Sequence, residues 1–345
     1  MGKNKRTEIE EKIVSLYREV NPSYYALEDD KALHEQLFLQ RQRTLRNSGV
    51  YNLLIKSRNI LHIGGGTGEK ALIDARLSGA DTAIVDANPD AIERAKSLFS
   101  GYKQTLHAEC KSLFDMDAKD VQNFDLILCE GVLHHTFDPI VALKHVCRTI
   151  PEGAILFVAM AEENGWYQRQ MQRDFVLLNA SNPEEIMARA KTYFSDHILR
   201  AQKYGLRSEK QVIFDTFINP HIQTSSIENI LSVFGECGCK LIQSFPSLAS
   251  PFHMGPVNTH ELDDFDHPSY SKYLNFLKML WRTGYHSPMD VIQETVLLRR
   301  IENLDNKLRT LRREITEGKD LPKHLKLIQS GPMGYGQNHF TVCKI

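Results

Sequence analysis

The sequence predicts an α/β protein with a doubly wound, parallel sheet. Short apolar runs alternate with amphipathic segments between residues 60 and 160, which is typical of buried parallel strands joined by helices. The first run ends in the glycine-rich segment GGGTG at 64–68, and the second ends in an acid, Asp86. In open α/β sheets ligands bind at the carboxyl ends of the strands, where an acid can hold a ribose diol. These features indicate a fold that binds a nucleoside-like ligand.

The expected strands are short apolar runs that end at glycines or polar residues, and they continue beyond the alternating region. Two further runs near the carboxyl terminus extend the sheet to seven strands. The strands are expected at 60–63, 83–85, 105–108, 124–129, 154–160, 239–244 and 338–345.

The expected helices carry apolar residues at helical spacing or begin at a recognisable cap. Ala71 and Leu72 contribute to the apolar side of the helix that follows the glycines. Pro139 suits the first position of another helix, and Ser225 or Ser226 can cap a third. Further helices are expected at 7–20, 29–47, 89–99, 139–149, 169–179, 183–204, 227–237, 270–281 and 289–317.

The spacing of the glycines disfavours a dinucleotide. The dinucleotide fingerprint places glycines at G-x-G-x-x-G against a pyrophosphate, and its third glycine would fall on Glu69. A carboxylate there would repel the pyrophosphate. The observed pattern of Gly64, Gly66 and Gly68 suits a ligand without phosphates. A plain strand-helix-strand unit without any cofactor is the alternative.

The sequence resembles the class I S-adenosylmethionine-dependent methyltransferases. LHIGGGTG and IVDANPDAIERAK are similar to the first two motifs of that family, and FDLILCEGVLHHTFDP resembles its fourth. The resemblance covers 60–160 and, less closely, 214–245. It implies a seven-stranded, Rossmann-like methyltransferase sheet with an N-terminal helical cap and helical insertions. It also implies S-adenosylmethionine as the cofactor and a small molecule as the acceptor.

The resemblance further implies a set of cofactor-binding residues. Asp86 would hold the ribose, Glu109 would contact the adenine amino group, and Cys129 with Glu130 would lie beside the methionine part. His62 stands where the family has an acid that contacts the amino group of the cofactor, so this position supplies no negative charge. The expected set is His62, Gly64, Gly65, Gly66, Gly68, Asp86, Ala87, Glu109, Cys110, Cys129 and Glu130.

Four residues are candidates for the acceptor side. Methyl transfer to a hydroxyl or an ammonium needs a base, and the ordinary pKa of histidine suits that task. His135 and His221 are the candidate bases, and Asp138 is a candidate partner for them. Trp166 and Tyr167 follow the fifth strand, and their amphipathic rings suit a substrate pocket. The alternative for each histidine is that it satisfies local backbone groups.

The chain is expected to divide into a cap, a cofactor-binding domain and two insertions that cap the substrate. The cap is 1–48, the Rossmann-like domain is 49–161 with 224–249 and 337–345, and the helical insertions are 162–223 and 250–336.

A helix expected at 289–317 carries an apolar seam with the spacing of a coiled coil. The seam can pack within the chain, which we favour because so short a seam is marginal alone. The alternative is that it pairs two copies into a homodimer. The seam residues are Leu297, Ile301, Leu304, Leu308, Leu311 and Ile315.

Composition limits the partners. The 345 residues carry a formal net charge of −1, so no overall field attracts nucleic acid or an anionic membrane. No apolar stretch is long enough for a membrane helix, and the start of the chain lacks a secretory signal. Six scattered cysteines lack the spacing of a zinc site. We therefore expect no metal, and a cytoplasmic location in which these thiols are reduced.

Four functions compete. The first, which we favour, is methyl transfer from S-adenosylmethionine to a small molecule by in-line displacement. The second is another reaction on the same fold, in which S-adenosylmethionine is cyclised or cleaved or gives up its aminopropyl group, releasing methylthioadenosine. The third is methylation of RNA or protein, which the near-zero charge and the absence of an Asn/Asp-Pro-Pro-Tyr motif disfavour. The fourth is non-catalytic binding or scaffolding.

Overall fold

Seven strands form one mixed sheet in the computed structural model, which describes residues 2–22, 24–25, 31–248, 268–285, 288, 291, 294–319, 323–329 and 336–345. The strands are β1 (Asn59–Ile63), β2 (Asp81–Asp86), β3 (Leu106–Cys110), β4 (Leu126–Glu130), β5 (Ile155–Ala161), β6 (Cys239–Phe245) and β7 (Gln337–Lys344).

The order of the strands is β3-β2-β1-β4-β5-β7-β6. Neighbouring strands from β3 to β5 pair in parallel, whereas β6 runs antiparallel to β7. The order reverses at β1, so the carboxyl ends of β1 and β4 form the crevice in which open α/β sheets bind ligands. The predicted doubly wound α/β fold is confirmed.

The helices of the described chain connect the strands and form the segments before and between them. They are α1 (Gly2–Glu19), α2 (Lys31–Asn47), α3 (Tyr51–Lys56), α4 (Glu69–Ser78), α5 (Pro89–Ser100), α6 (Ala118–Val121), α7 (Pro139–Thr149), α8 (Tyr167–Leu177), α9 (Pro183–Gly205), α10 (Glu209–Ile213), α11 (Ile227–Glu236), α12 (Pro268–Thr283), α13 (Thr295–Thr316) and α14 (Lys326–Gln329).

Successive residues of β1, β2 and β4 are buried, so both faces of the parallel part of the sheet are covered. On one face Leu45 and Leu54 from α2 and α3 pack with Ile60 and Leu128. A second cluster joins α4 and α5 to Ile84 of β2 on the same face. Burial on both faces explains why these strands are almost continuously apolar in sequence.

The described chain forms two compact units. The first comprises Met1–Met160, Asn219–Phe245 and His339–Ile345, and it contains the sheet together with α1 and α2. The second comprises Ala161–Ile218 and Pro246–Asn338 and contains α8, α9, α10, α12, α13 and α14. Residues 250–267 of the predicted second insertion lie outside the described part.

The apolar seam is buried inside the second unit. Leu308, Leu311 and Ile315 of α13 belong to one core cluster with Phe175 and Phe194 of α8 and α9. This arrangement agrees with packing within the chain, and a homodimer through this helix stays a prediction. The helix begins at Thr295, after Glu294 in extended conformation, and not at 289. Most of 289–293 lies outside the described residues.

Several short elements were not predicted. Leu133–His135 forms a 3₁₀ turn after β4, Tyr51–Lys56 forms α3, and Phe214–Ile218 forms a π-helical turn after α10. Helix α8 begins at Tyr167, two residues before the expected start. Across the described ranges, no helix combines the length and apolarity that a bilayer crossing requires.

Leu308→Ala should destabilise the second unit by about 2–5 kcal/mol, because the side chain is fully buried in the core and its removal leaves a cavity. Denaturant unfolding, followed by a signal from this unit, measures the effect. Val296→Ala is the control, since Val296 lies on the same helix and is 65% exposed. Equal stabilities of the two variants would contradict the placement of the seam.

Candidate active site

The turn after β1 requires glycine because of its backbone conformation and because of the side chains packed against it. Gly64, Gly66 and Gly68 have φ values of 65°, 56° and 89°, a region that favours glycine. A Cβ on Gly64 would collide with Val132, and one on Gly68 would lie 3.0 Å from the Cβ of Ala95. The turn therefore needs glycine for the protein's own packing. Binding of a cofactor by these glycines, and by Gly65, stays a prediction.

Asp86 ties the end of β2 to this turn. Its Oδ2 accepts a hydrogen bond from the backbone N–H of Gly66 at 2.8 Å, and its Oδ1 accepts one from Asn88 at 2.8 Å. Burial raises the pKa of this carboxyl, and the two hydrogen bonds oppose that shift. Each carboxylate oxygen has a second lone pair. Two oxygens held in this way fit the vicinal hydroxyls of a ribose.

Glu69 occupies the first turn of α4, where a pyrophosphate would have to bind. It is buried, and it accepts hydrogen bonds from the Thr67 hydroxyl at 2.5 Å and from the backbone N–H of Tyr25 at 3.1 Å. Burial raises the pKa of the Glu69 carboxyl. The amino end of the helix is thus already taken up by a carboxyl group, which agrees with a ligand without phosphates.

A buried arginine links the N-terminal segment to the carboxyl end of the sheet. Arg41 of α2 donates through Nε and Nη2 to Asp74 of α4, at 2.8 and 2.5 Å. Its Nη1 donates to Glu130 at the end of β4, at 2.8 Å. Arg41 is 4% exposed and Asp74 is completely buried. Asp74 and Glu130 thus share one guanidinium. A second cation, Lys70, lies 3.6 Å from Glu130 and is half exposed to solvent.

The charge states of this cluster follow from its geometry. Burial would raise the pKa of Glu130, but Arg41 and Lys70 outweigh it and lower the pKa to about 2. Burial and Arg41 lower the pKa of His62 to about 3, so that ring is neutral. Its Nε2 lies 3.6 Å from Asp74 and has no hydrogen-bond partner within the described ranges. Burial raises the pKa of Asp74, and Arg41 opposes that shift. Contact of His62 with a cofactor stays a prediction.

Sequence reasoning missed Arg41 and Asp74. The one signal for Asp74 is an acid inside the otherwise apolar stretch ALIDA of α4. Arg41 is one of several arginines in a helix rich in glutamine and arginine, and nothing in the pattern distinguishes it. Their pairing joins residues 33 positions apart, which only the tertiary fold brings together.

Around the end of β3 the predicted adenine contacts are open to solvent. The Glu109 side chain is 60% exposed and lies 3.8 Å from Lys111. Cys110 is exposed, and its Sγ lies 3.7 Å from the carbonyl oxygen of Ala87. Binding of the cofactor by these residues stays a prediction. Cys129 of β4, in contrast, is fully buried, and burial raises the pKa of its thiol.

Helix α1 lies beside the ends of β2 and β3. Glu10 of α1 accepts a hydrogen bond from the Ser112 hydroxyl at 2.7 Å. Burial raises the pKa of Glu10, and Asp115 and Asp86 contribute to the same direction. Arg6 pairs with Asp115 at 3.0 Å. The N-terminal segment thus packs close to the acid that is predicted to hold the ribose.

The fold brings His135, at the end of the 3₁₀ turn after β4, next to His221 in the segment before α11. The Nδ1 atom of His135 lies 3.2 Å from the carbonyl oxygen of His221 and 3.1 Å from Nδ2 of Asn219. The Asn219 amide is oriented because its Oδ1 accepts the backbone N–H of His221, and its Nδ2 also donates to the Tyr17 hydroxyl. Tyr17 meets the His135 ring edge-on at 5.9 Å. In these contacts His221 acts through its backbone.

Asp138 does not orient His135. Its Oδ1 accepts the backbone N–H groups of Ile140 and Val141, so Asp138 caps α7. The expectation that it partners a histidine was wrong, because Asp before Pro139 at a helix start serves as an N-cap.

Trp166 and Tyr167 open α8 in the second unit. Trp166 is 6% exposed, and the guanidinium carbon of Arg169 lies 4.9 Å from the centre of its ring. Tyr167 is partly buried beside Arg282, and burial raises the pKa of its hydroxyl. A role for these rings in a substrate pocket stays a prediction.

Comparison with known proteins defines the class. A family model described as a methyltransferase domain matches residues 33–244, more than half of the chain, so the chain belongs to this family. The class predicted from the sequence, an S-adenosylmethionine-dependent methyltransferase, is thereby confirmed, as is the cofactor. No group of three or more His, Cys, Asp or Glu side chains is placed to hold a metal ion anywhere in the described ranges.

Two curated relatives match parts of the chain. An uncharacterized protein of Synechococcus sp. is 36% identical over 123 residues, which are 34% of this chain and 29% of that protein. Ubiquinone biosynthesis O-methyltransferase of Coxiella burnetii is 28% identical over 114 residues, which are 32% of this chain and 47% of that enzyme. The chain therefore spans less than half the length of either relative.

Solved structures resemble the fold at low sequence identity. PKMT2 from Rickettsia typhi aligns with a TM-score of 0.46 and 17% identity, covering 69% of this chain and 50% of that one. The plantazolicin methyltransferase BpumL in complex with SAH aligns with a TM-score of 0.43 and 12% identity, covering 99% and 98%.

His62 should make the first unit less stable in acid. The unfolded chain binds a proton on His62 near pH 6.5, whereas the folded chain keeps the ring neutral to about pH 3. This contribution to stability is present above pH 6.5 and is lost as the pH falls towards 3. The resulting slope is about 1.4 kcal/mol per pH unit near pH 5.

Denaturant unfolding between pH 6.5 and 5 measures this slope. His62→Gln should reduce this slope by up to about 1.4 kcal/mol per pH unit, which corresponds to one proton. His107→Gln, at an exposed position of β3, is the control and should leave it unchanged. An unaltered slope in a folded His62→Gln protein would contradict the burial of a neutral imidazole.

Proposed function

We propose that this chain transfers a methyl group from S-adenosylmethionine to a hydroxyl group of a small molecule. The observation that carries the proposal is the Asp86 carboxylate, whose two oxygens are held at the glycine turn by backbone N–H groups. Family membership supports methyl transfer as the reaction. The match to an O-methyltransferase of Coxiella burnetii supports an oxygen as the attacking atom.

The residues at the sheet edge suit the chemical groups of the cofactor. Asp86 accepts hydrogen bonds from the ribose hydroxyls, and Glu130, at the carboxyl end of β4, attracts the ammonium of the methionine part. S-adenosylmethionine, when bound, supplies a methyl group already activated by a sulfonium. The chain mainly has to position the acceptor and exclude water.

His135 is the proposed base that removes the proton of the acceptor hydroxyl. Its two contacts at Nδ1 select different tautomers, because the His221 carbonyl can only accept and the Asn219 amide can only donate. The carbonyl contact is the one that a base requires. It holds a proton on Nδ1, leaves Nε2 basic, and also stabilises the protonated ring.

Mass spectrometry of the products tests the reaction. The protein is incubated with S-adenosylmethionine alone and with a metabolite extract. S-adenosylhomocysteine that forms only with the extract, together with a product 14 mass units heavier than an acceptor, would support methyl transfer. Methylthioadenosine from the cofactor alone would instead show cleavage, cyclisation or aminopropyl chemistry, and would refute the proposal.

Asp86→Ala should weaken binding of S-adenosylmethionine at least tenfold, since a hydrogen bond to a charged group contributes about 1.5–3 kcal/mol. Asp81→Ala is the control, because Asp81 begins the same strand at its opposite, exposed end. Isothermal titration calorimetry measures both affinities. Asp86→Asn separates loss of charge from loss of the backbone hydrogen bonds. Unchanged affinity in Asp86→Ala would rule out the ribose contact.

His135→Ala should lower kcat by roughly 10²–10⁴-fold and leave the affinity for S-adenosylmethionine unchanged, as removal of a general base does. The loss should shrink with rising pH, because hydroxide and the ionised acceptor replace the base. His107→Gln serves as the control. If His135→Ala lost cofactor affinity and kcat in parallel at every pH, a structural role would be the better account.

A further inference from the structure

A cluster of arginines in the second unit has no role in the function proposed above. Arg169 and Arg173 lie one turn apart on α8, and Arg200 of α9 and Arg207 lie near Arg169. Asp215 is the acid near Arg169, and its Oδ2 accepts a hydrogen bond from Nη1 of Arg207 at 2.7 Å. Asp174 and Asp215 are the acids near Arg173. Around Arg169, positive charge therefore exceeds negative charge among the described residues.

Arg173 is satisfied by the protein itself. Its Nη1 donates to the carbonyl oxygens of Thr216 and Phe217, at 3.0 and 2.9 Å. These acceptors belong to the π-helical turn at Phe214–Ile218, so Arg173 stabilises that turn. Arg173 therefore serves the fold, unlike its neighbour on the same face of α8.

Arg169 is placed differently. Its Nε is shielded from solvent and has no hydrogen-bond partner within the described ranges, although Arg169 as a whole is only half-buried. Its guanidinium lies over the Trp166 ring, and a Cβ on Gly336 would lie 2.9 Å from the guanidinium carbon. A shielded N–H donor without an acceptor is costly.

The surroundings of Arg169 favour the binding of an anion from outside the protein. Burial, and after it Arg207 and Arg200, lower the pKa of Arg169 to about 10, which leaves it charged at neutral pH. His197 is buried nearby, and burial together with Arg169 and Arg200 lowers the pKa of its ring to about 3. This imidazole is neutral, so it adds no further charge and can donate a hydrogen bond.

We propose that Arg169, with Arg200 and Arg207 as further positive charge, binds an oxyanion, a carboxylate or a phosphate, within the second unit. A guanidinium presents paired N–H donors that match either group, and the Trp166 ring holds the guanidinium from one side. Binding of an oxyanion to this site does not depend on methyl transfer.

Fluorescence titration of the full-length protein tests the site directly. The chain has two tryptophans, and one of them, Trp166, lies against Arg169, so an anion there should change the emission. Sodium acetate and inorganic phosphate are titrated separately at constant ionic strength, with sodium chloride as the exchanged salt. We expect a saturable change that chloride does not produce.

Substitutions test whether the fluorescence change arises from binding at Arg169. Arg169→Gln should weaken the saturable binding at least tenfold, whereas Arg313→Gln, whose side chain is 70% exposed in the same unit, should leave it unchanged. If Arg169→Gln fails to fold, Arg169→Lys keeps the charge without the paired donors and should weaken binding severalfold. Unchanged binding in a folded Arg169 variant would overturn the proposal.

The outcomes separate the ligand classes and the two proposals. Saturation by acetate alone indicates a carboxylate, saturation by phosphate alone indicates a phosphate, and saturation by both supports the shared oxyanion. Absence of a saturable response to either anion would overturn the site. A protein that binds the anion through Arg169 but forms no S-adenosylhomocysteine with the extract would refute the proposed function and leave the site standing.

Discussion

The interaction on which the active site depends is the buried pairing of Arg41 with Asp74 and Glu130. It joins α2, α4 and the end of β4 in one cluster, and each member is shielded from solvent. Removing the guanidinium would leave Asp74 completely buried without its cation, which costs several kcal/mol, about 3–5 for a buried pair. The N-terminal segment is therefore fixed to the ligand edge of the sheet by charge as well as by apolar packing.

This constraint explains an unusual feature of the first motif. His62 stands where the resembling family has an acid, and its surroundings keep it neutral. Asp74 on α4 and Glu130 at the end of β4 lie in the same cluster, and Arg41 and Lys70 pair with them. Neither acid is therefore left without a cation. Recognition of the ammonium of the cofactor by this cluster stays a proposal.

The helical parts of the two units serve different purposes. In the first unit, α1 brings Glu10 and Tyr17 towards the strand ends, and Asn219 links Tyr17 to His135. In the second unit, the apolar seam of α13 is used for the core, while α8 carries Arg169, whose buried Nε has no hydrogen-bond partner in the described part of the chain. The chemistry proposed above uses the first set, and the proposed oxyanion site uses the second.

The sequence by itself determined the fold and the cofactor class, because both depend on local patterns. Strand runs, the glycine turn and Asp86 at its spacing are readable in one stretch of chain, and backbone geometry then leaves few choices. Only the tertiary structure decided the partners of Arg41, the contact of Asn219 with His135, and the capping role of Asp138. These depend on side chains that meet across 33 to 89 residues or on competition for a nearby backbone N–H. No periodicity in the sequence encodes these contacts, because they depend on the positions that the helices take when they pack.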